Sequence, residues 1–158
     1  MKKVELKSLF HNKDFGLLVM RVINGALFVV HGYQKLQGIE GVVGFFGSLG
    51  FAPFLAYVVA WVEFLGGISL IIGYGSKIAA ALLAITMLVA MVKVHGANGF
   101  SAGKGGYEFV LSLFAVAVGL LYTGPGRYSL GARCGCPVKD GVCAATDTGC
   151  DCTGCDKK

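Results

Sequence analysis

The residues best able to do chemistry are ionisable side chains set within long apolar stretches. Glu63 lies near the middle of residues 53–74, which are long enough to cross a bilayer, because a spanning helix needs about 20 apolar residues. Arg21 stands in a second stretch of this kind. A charge at such depth is costly unless it is paired or faces a wet interior. We therefore predict that Arg21 pairs with Glu63 inside a helical bundle; the alternative is that Arg21 extends to the near membrane surface.

All six cysteines of the chain lie in one segment, with the spacing C-x-C-x6-C-x6-C-x-C-x2-C. They are Cys134, Cys136, Cys143, Cys150, Cys152 and Cys155. Nothing in this segment is large and apolar enough to make a core, and so short a segment usually needs disulfides or a metal to fold. In a reducing cytosol the thiolates favour zinc or Cu(I). Thiol redox exchange and a disordered reduced tail are the alternatives, and disulfides become the first interpretation if the membrane orientation is inverted.

The composition of the 158 residues indicates a membrane protein. The chain is 55% hydrophobic and only 15% charged, whereas soluble domains average about 25% charged residues. A soluble helical bundle is the less favoured class. The net charge of +5 informs the membrane orientation and does not point to nucleic acid.

The apolar stretches predict an all-α fold, a four-helix transmembrane bundle with a short irregular cysteine-rich tail. The predicted spans are residues 15–33, 53–74, 77–94 and 107–122. Three regions follow: an N-terminal segment at 1–15, the bundle at 16–125 and the tail at 126–158. On the first span the polar residues share one stripe that we expect to face inward, and Gly66 and Gly67 let another helix approach closely. On the last span we expect an inward polar and small stripe, made of Glu108, Ser112, Ala115, Gly119 and Tyr122.

Two further expectations concern the loops and the orientation. Glycine recurs at every third position from 38 to 50, among several phenylalanines, which predicts a short helix or re-entrant turn at the bilayer surface; an ordinary flexible loop is the alternative. Lysine and arginine concentrate in the N-terminus, the 73–77 turn and the tail. By the positive-inside rule both termini are cytoplasmic, in a multi-pass protein of the cell inner (plasma) membrane.

Five runs of sequence resemble the DoxX family of small membrane proteins. They read RVINGALFVVHGYQKL, GFFGSLGFAPFLAYVVAWVEFLGGISLIIG, VKVHGANGF, GGYEFVLSLF and TGPGRYSL. The resemblance implies a four-helix membrane bundle. It also implies a link to oxidoreductase systems, because some members are membrane subunits tied to thiosulfate oxidation and quinone reduction, and others accompany thiol and oxidative-stress systems. The cysteine tail departs from the family pattern.

Three functions are consistent with these features. The first is a membrane subunit of an oxidoreductase, such as a thiosulfate:quinone oxidoreductase, which binds a quinone and acts with a separate catalytic partner. Its candidate catalytic residues are Arg21, His31, Glu63, His95 and Glu108, and its candidate headgroup-binding residues are Asn24, Lys35 and Tyr107. Histidine and carboxylate side chains near an interface can exchange the protons that quinone reduction needs. The second function is a membrane-anchored binder of Cu(I) or zinc, and the third is a structural membrane subunit whose charges only hold the bundle together.

Overall fold

The structure, a computed structural model, describes residues 13–130 and the backbone of two short strands further along the chain. Its regular structure within residues 13–130 is helical, as predicted. The α-helices are α1 (Lys13–Gln37), α2 (Ile39–Ser48), α3 (Phe54–Ile72), α4 (Ser76–Ala90) and α5 (Glu108–Thr123). A π-helical turn (Met91–His95) and two 3-10 turns (Gly96–Asn98 and Ala102–Lys104) join α4 to α5. The strands β1 (Val138–Lys139) and β2 (Val142–Cys143) pair in antiparallel fashion.

Four of the helices form the predicted membrane bundle. Three helical segments are long and apolar enough to cross a membrane: α1, α3, and α4 with its continuation to Asn98. The fourth, α5, is a mostly apolar helix of 16 residues, or about 24 Å, and it packs mainly on α4. The helices alternate in direction, so the bundle has two ends. We call them the tail end, where α1 begins and α5 finishes, and the cavity end, where α2 lies.

Glycines bring α1 and α3 into backbone contact. A Cβ added at Gly67 would lie 2.6 Å from the carbonyl oxygen of Gly25 and 2.8 Å from the backbone nitrogen of Val29. One added at Gly32 would lie 2.5 Å from the backbone nitrogen of Phe64. Gly66 instead makes room for a side chain, since a Cβ added there would lie 3.2 Å from Cγ of Leu83 on α4. The predicted role of Gly66 and Gly67 is therefore confirmed, and these contacts fix the register of α1 against α3.

The polar stripe of α1 faces inward as predicted, but that of α5 does not. Arg21 and Asn24 are buried, while Ile23 on the opposite side of α1 is exposed. On α5 the buried residues are the apolar ones, Val110, Leu113, Ala117 and Leu120. The residues predicted to face inward, from Glu108 to Tyr122, lie on the outer side. The reason is that α5 packs on apolar side chains of α4, which offer a carboxylate no partner, so burying the apolar face is favoured.

The loop at the cavity end contains the short helix α2, so the short-helix interpretation is confirmed over an ordinary loop. The helix is bounded by Gly38 and by Gly50, whose φ of +79° lies in the left-handed region that glycine adopts without strain. Residues of α2 from Gly41 to Phe46 line the site described next.

Candidate functional site

A large cavity occupies the cavity end of the bundle, and all five helices and the loop between α4 and α5 line it. Its volume of about 1010 Å³ is at the upper end of the range for small-molecule sites. Its walls are mostly apolar, and the residues with ionisable side chains on them are His31, Lys35, Glu63 and His95. An apolar chamber with a few convergent polar groups is the usual form of a ligand site.

A buried ion pair stands on the cavity wall. Lys35, in the last turn of α1, donates from Nζ to Oε1 of Glu63, in the middle of α3. The Glu63 side chain is 1% exposed, whereas that of Lys35 is 31% exposed. The second carboxylate oxygen, Oε2 of Glu63, is buried and has no hydrogen-bond partner among the described residues. A buried acceptor without a partner is costly, so this oxygen is suited to accept a hydrogen bond from a ligand.

The predicted pairing of Arg21 with Glu63 is wrong, and the helix register explains why. The glycine contacts place Gly32 opposite Phe64 and Val29 opposite Gly67 in an antiparallel pair. By the same register Glu63 of α3 lies opposite residue 33 of α1, which is close to Lys35. Arg21 is displaced from that level by about 18 Å of helical rise. Both basic residues lie along the inward stripe of α1, but only Lys35 is at the right depth.

Arg21 instead holds the segment that follows α5. It is buried at the tail end, where its guanidinium donates to the carbonyl oxygen of Pro125 and, over 3.2 Å, to that of Tyr128. Asn24, one turn further along α1, donates from Nδ2 to the carbonyl oxygen of Met20 at 3.1 Å. Neither Arg21 nor Asn24 lines the cavity. Their position indicates a role in packing the tail end.

Two histidines line the cavity in similar hydrogen-bonded states. Nδ1 of His31 lies 2.7 Å from the carbonyl oxygen of Leu27, and Nδ1 of His95 lies 2.7 Å from that of Gly105. Because a carbonyl oxygen can only accept, Nδ1 carries the hydrogen in both rings. Nε2 is then the acceptor nitrogen of each neutral imidazole, so the site holds two groups able to accept a proton.

The other predicted members of the site lie beside the cavity and do not line it. Glu108 is exposed, and its Oε2 accepts a hydrogen bond from the backbone N–H of Ala102 at 3.1 Å. Tyr107 packs edge-on against Phe100, with ring centroids 5.5 Å apart. Both residues therefore order the loop that carries His95. The predicted cluster of His31, His95 and Glu108 is brought together only in part.

Aromatic residues that the sequence assigned to the membrane interface also form the cavity walls. Phe45, Phe46 and Phe51 line it from α2 and the loop after it, and Phe109 lines it from α5. The Phe109 ring lies 5.9 Å from that of His31. The signal in the sequence was the concentration of phenylalanine beside glycine, which marks both an interface and a wall of a lipophilic site.

The proposed metal site lies outside the described residues. The structure gives only the backbone of Cys143 among the six cysteines. Within the described part of the chain, no three His, Cys, Asp or Glu side chains gather closely enough to hold a metal ion. Metal binding by the tail stays a prediction.

Comparison with known proteins gives one family. The DoxX family model matches residues 16–96. The chain is 40% identical to "Putative oxidoreductase CatD" of Bacillus subtilis (strain 168) over 111 residues, 69% of this chain and 82% of the relative. It is 29% identical to "Inner membrane protein YqjF" of Escherichia coli (strain K12) over 133 residues, 82% of this chain and 94% of the relative. "Inner membrane protein YphA" of the same organism is 29% identical over 133 residues, 76% of this chain and 95% of the relative. No solved structure matches the chain.

Proposed function

The chain belongs to the DoxX family of membrane proteins, and we propose that it is the membrane subunit of an oxidoreductase system that links the oxidation of a thiol or another sulfur compound to a quinone. The observation that carries the proposal is the apolar cavity with the Lys35–Glu63 pair on its wall. The printed name of one relative, "Putative oxidoreductase CatD", supports the reaction class.

The residues of the cavity fit the two ends of a lipid-soluble quinone. The apolar walls take the ring and the tail, since apolar surface removed from water is stabilising. At the headgroup, the ammonium of Lys35 donates to a carbonyl oxygen, and Oε2 of Glu63 accepts from the hydroxyl of the reduced form. The orphaned Oε2 is the structural feature that this ligand satisfies.

Proton exchange and electron supply fall to different groups in this proposal. Reduction of a quinone consumes two protons, and Nε2 of His31 and of His95 would take these up at the cavity end and deliver them at the cavity wall. No side chain of the helical bundle is a redox group that can accept and release two electrons. The electrons therefore come from the sulfur compound by way of a separate protein partner, and the quinone supplies the redox chemistry when it is bound.

We also propose a membrane and an orientation for the chain. Two relatives are inner membrane proteins by name, so we place this chain in the cell inner membrane. With both termini in the cytoplasm, the cavity end faces outward. An impermeant maleimide applied to intact cells should then leave the tail cysteines unlabelled, and labelling would reverse the orientation.

Binding of a quinol to the purified protein tests the function directly. In lipid nanodiscs the native chain should bind a long-tailed quinol saturably. Glu63→Gln keeps the shape of the site but weakens its acceptor, so binding should fall about tenfold, the effect of roughly 1.4 kcal/mol from one hydrogen bond to a charged group. Glu40→Gln, at an exposed carboxylate outside the cavity, is the matched control. Absence of saturable binding, or equal affinity in all three proteins, contradicts the proposal.

A further inference from the structure

The cavity has an opening on the side that faces the bilayer. Ile85 and Val89 of α4 line the cavity, yet they are 60% and 44% exposed. They belong to an exposed apolar stripe that runs along α4 and the π-helical turn after it and also includes Ile78, Leu82 and Val92. A side chain can line a cavity and remain this exposed only where the cavity wall is open. By the same measure Phe45 of α2 and Phe109 of α5, which also line the cavity and are 46% and 43% exposed, border it where it is open. One part of the opening therefore lies on the lipid-facing side of α4.

The packing of α3 against α4 explains why the wall is open there. Gly66 and Leu83 are in close contact, so the helices are held together at that level. In an antiparallel pair, the next levels toward the cavity end set Glu63 opposite Thr86 and Val59 opposite Ala90. All four of these residues line the cavity. Beyond the Gly66–Leu83 contact both helices therefore contribute residues to the cavity wall, and α2 contributes to it as well.

We propose that this opening, bordered by Ile85 and Val89, is a lateral portal through which the ligand enters from the bilayer. The inference rests on the proposed function and narrows its substrate class to amphiphiles with an extended apolar tail. The headgroup reaches the Lys35–Glu63 pair, while the tail remains in the portal and continues into the lipid. A headgroup without a tail lacks these contacts and does not concentrate in the bilayer from which the portal is filled.

Narrowing the portal with tryptophan tests the proposal. Ile85→Trp and Val89→Trp place an indole at the opening, and neither replaces a buried side chain, so the fold tolerates them. Ile78→Trp is the matched control, because Ile78 is 71% exposed on the same stripe and does not line the cavity. The probes are one radiolabelled quinone headgroup with a ten-carbon tail and the same headgroup without a tail. Binding is measured in nanodiscs, with empty nanodiscs as the blank for partition into lipid.

The outcomes separate the portal from the proposed function. We expect the native protein to bind the tailed quinone more tightly than the tailless one. Each portal variant should weaken binding of the tailed quinone at least about tenfold and leave the tailless one within about twofold, with Ile78→Trp unchanged. Undiminished binding of the tailed quinone in both portal variants, or equal binding of the two quinones by the native protein, overturns the portal alone. Binding of neither quinone by the native protein overturns the function as well.

Discussion

Removing the two partners of the Lys35–Glu63 pair one at a time should have unequal effects on stability. Lys35→Met leaves the Glu63 carboxylate, which is almost fully buried, with no compensating charge. Breaking a buried pair in this way costs about 3–5 kcal/mol. Glu63→Gln leaves Lys35, whose side chain is already a third exposed and long enough to reach the interface. Its cost is the lost charge-assisted hydrogen bond, about 1.5–3 kcal/mol.

The two single variants should therefore differ by about 2 kcal/mol, or roughly 30-fold in the ratio of folded to unfolded protein. The double variant, with no charge left at the site, should be more stable than Lys35→Met alone, since replacing a buried pair by neutral groups is often close to neutral. Equilibrium unfolding in mixed micelles is a suitable assay. Trp61, the one tryptophan of the chain, lies half-exposed two residues from Glu63 and reports the transition by fluorescence.

Lys93→Met is the control, because Lys93 is exposed at the same end of the bundle and its removal should change stability by less than about 0.5 kcal/mol. Equal losses for Lys35→Met and Glu63→Gln would refute the reasoning, since they would mean that the carboxylate is not held in a dry environment. A double variant as unstable as Lys35→Met would refute it too.

Three other substitutions or segments give separate tests. Gly67→Ala should destabilise the bundle by about 1–3 kcal/mol, because the added Cβ meets the backbone of α1. The control Gly119→Ala, with open space around it, should be neutral or stabilising by up to about 1 kcal/mol. Similar thermal melting of the two variants would contradict the close approach of α1 and α3. Arg21→Met should speed hydrogen exchange of backbone amides in residues 124–130, which the guanidinium holds, and unchanged exchange there would count against the anchor. The tail should bind zinc or Cu(I) through at least four cysteines; elemental analysis of the anaerobically purified chain that found less than about half an equivalent of either metal would favour thiol redox exchange instead.

The helices were predictable from the sequence because their signals are local. Long apolar runs define the spans, and the 100° periodicity of α1 places Arg21 and Asn24 on the buried side. On α5 the same periodicity separates two faces but does not say which one faces the core. That choice depended on the apolar side chains of α4, which a reading of α5 alone does not include.

The partner of Glu63 was not predictable in the same way, because pairing between helices depends on register. Arg21 and Lys35 lie on one stripe of α1, and both are chemically suitable for a carboxylate. The register came from Gly25, Gly32 and Gly67, whose lack of side chains lets the backbones meet at one relative height. The cavity was harder still to predict, since its walls come from all five helices and the loop between α4 and α5.

The buried Phe28 lies between the charged residues at the two ends of the bundle. It lies on the inward stripe of α1 between Asn24 and His31, it packs in one core cluster with Leu70 and Leu83, and it lines the cavity. Because its ring separates the Arg21 end from the Lys35–Glu63 end, the polar stripe of α1 is interrupted by an apolar layer. In the proposed function, protons exchanged at the cavity wall must then enter and leave through the cavity end. This geometry favours a site that serves one half of the membrane over a path that conducts charge across it.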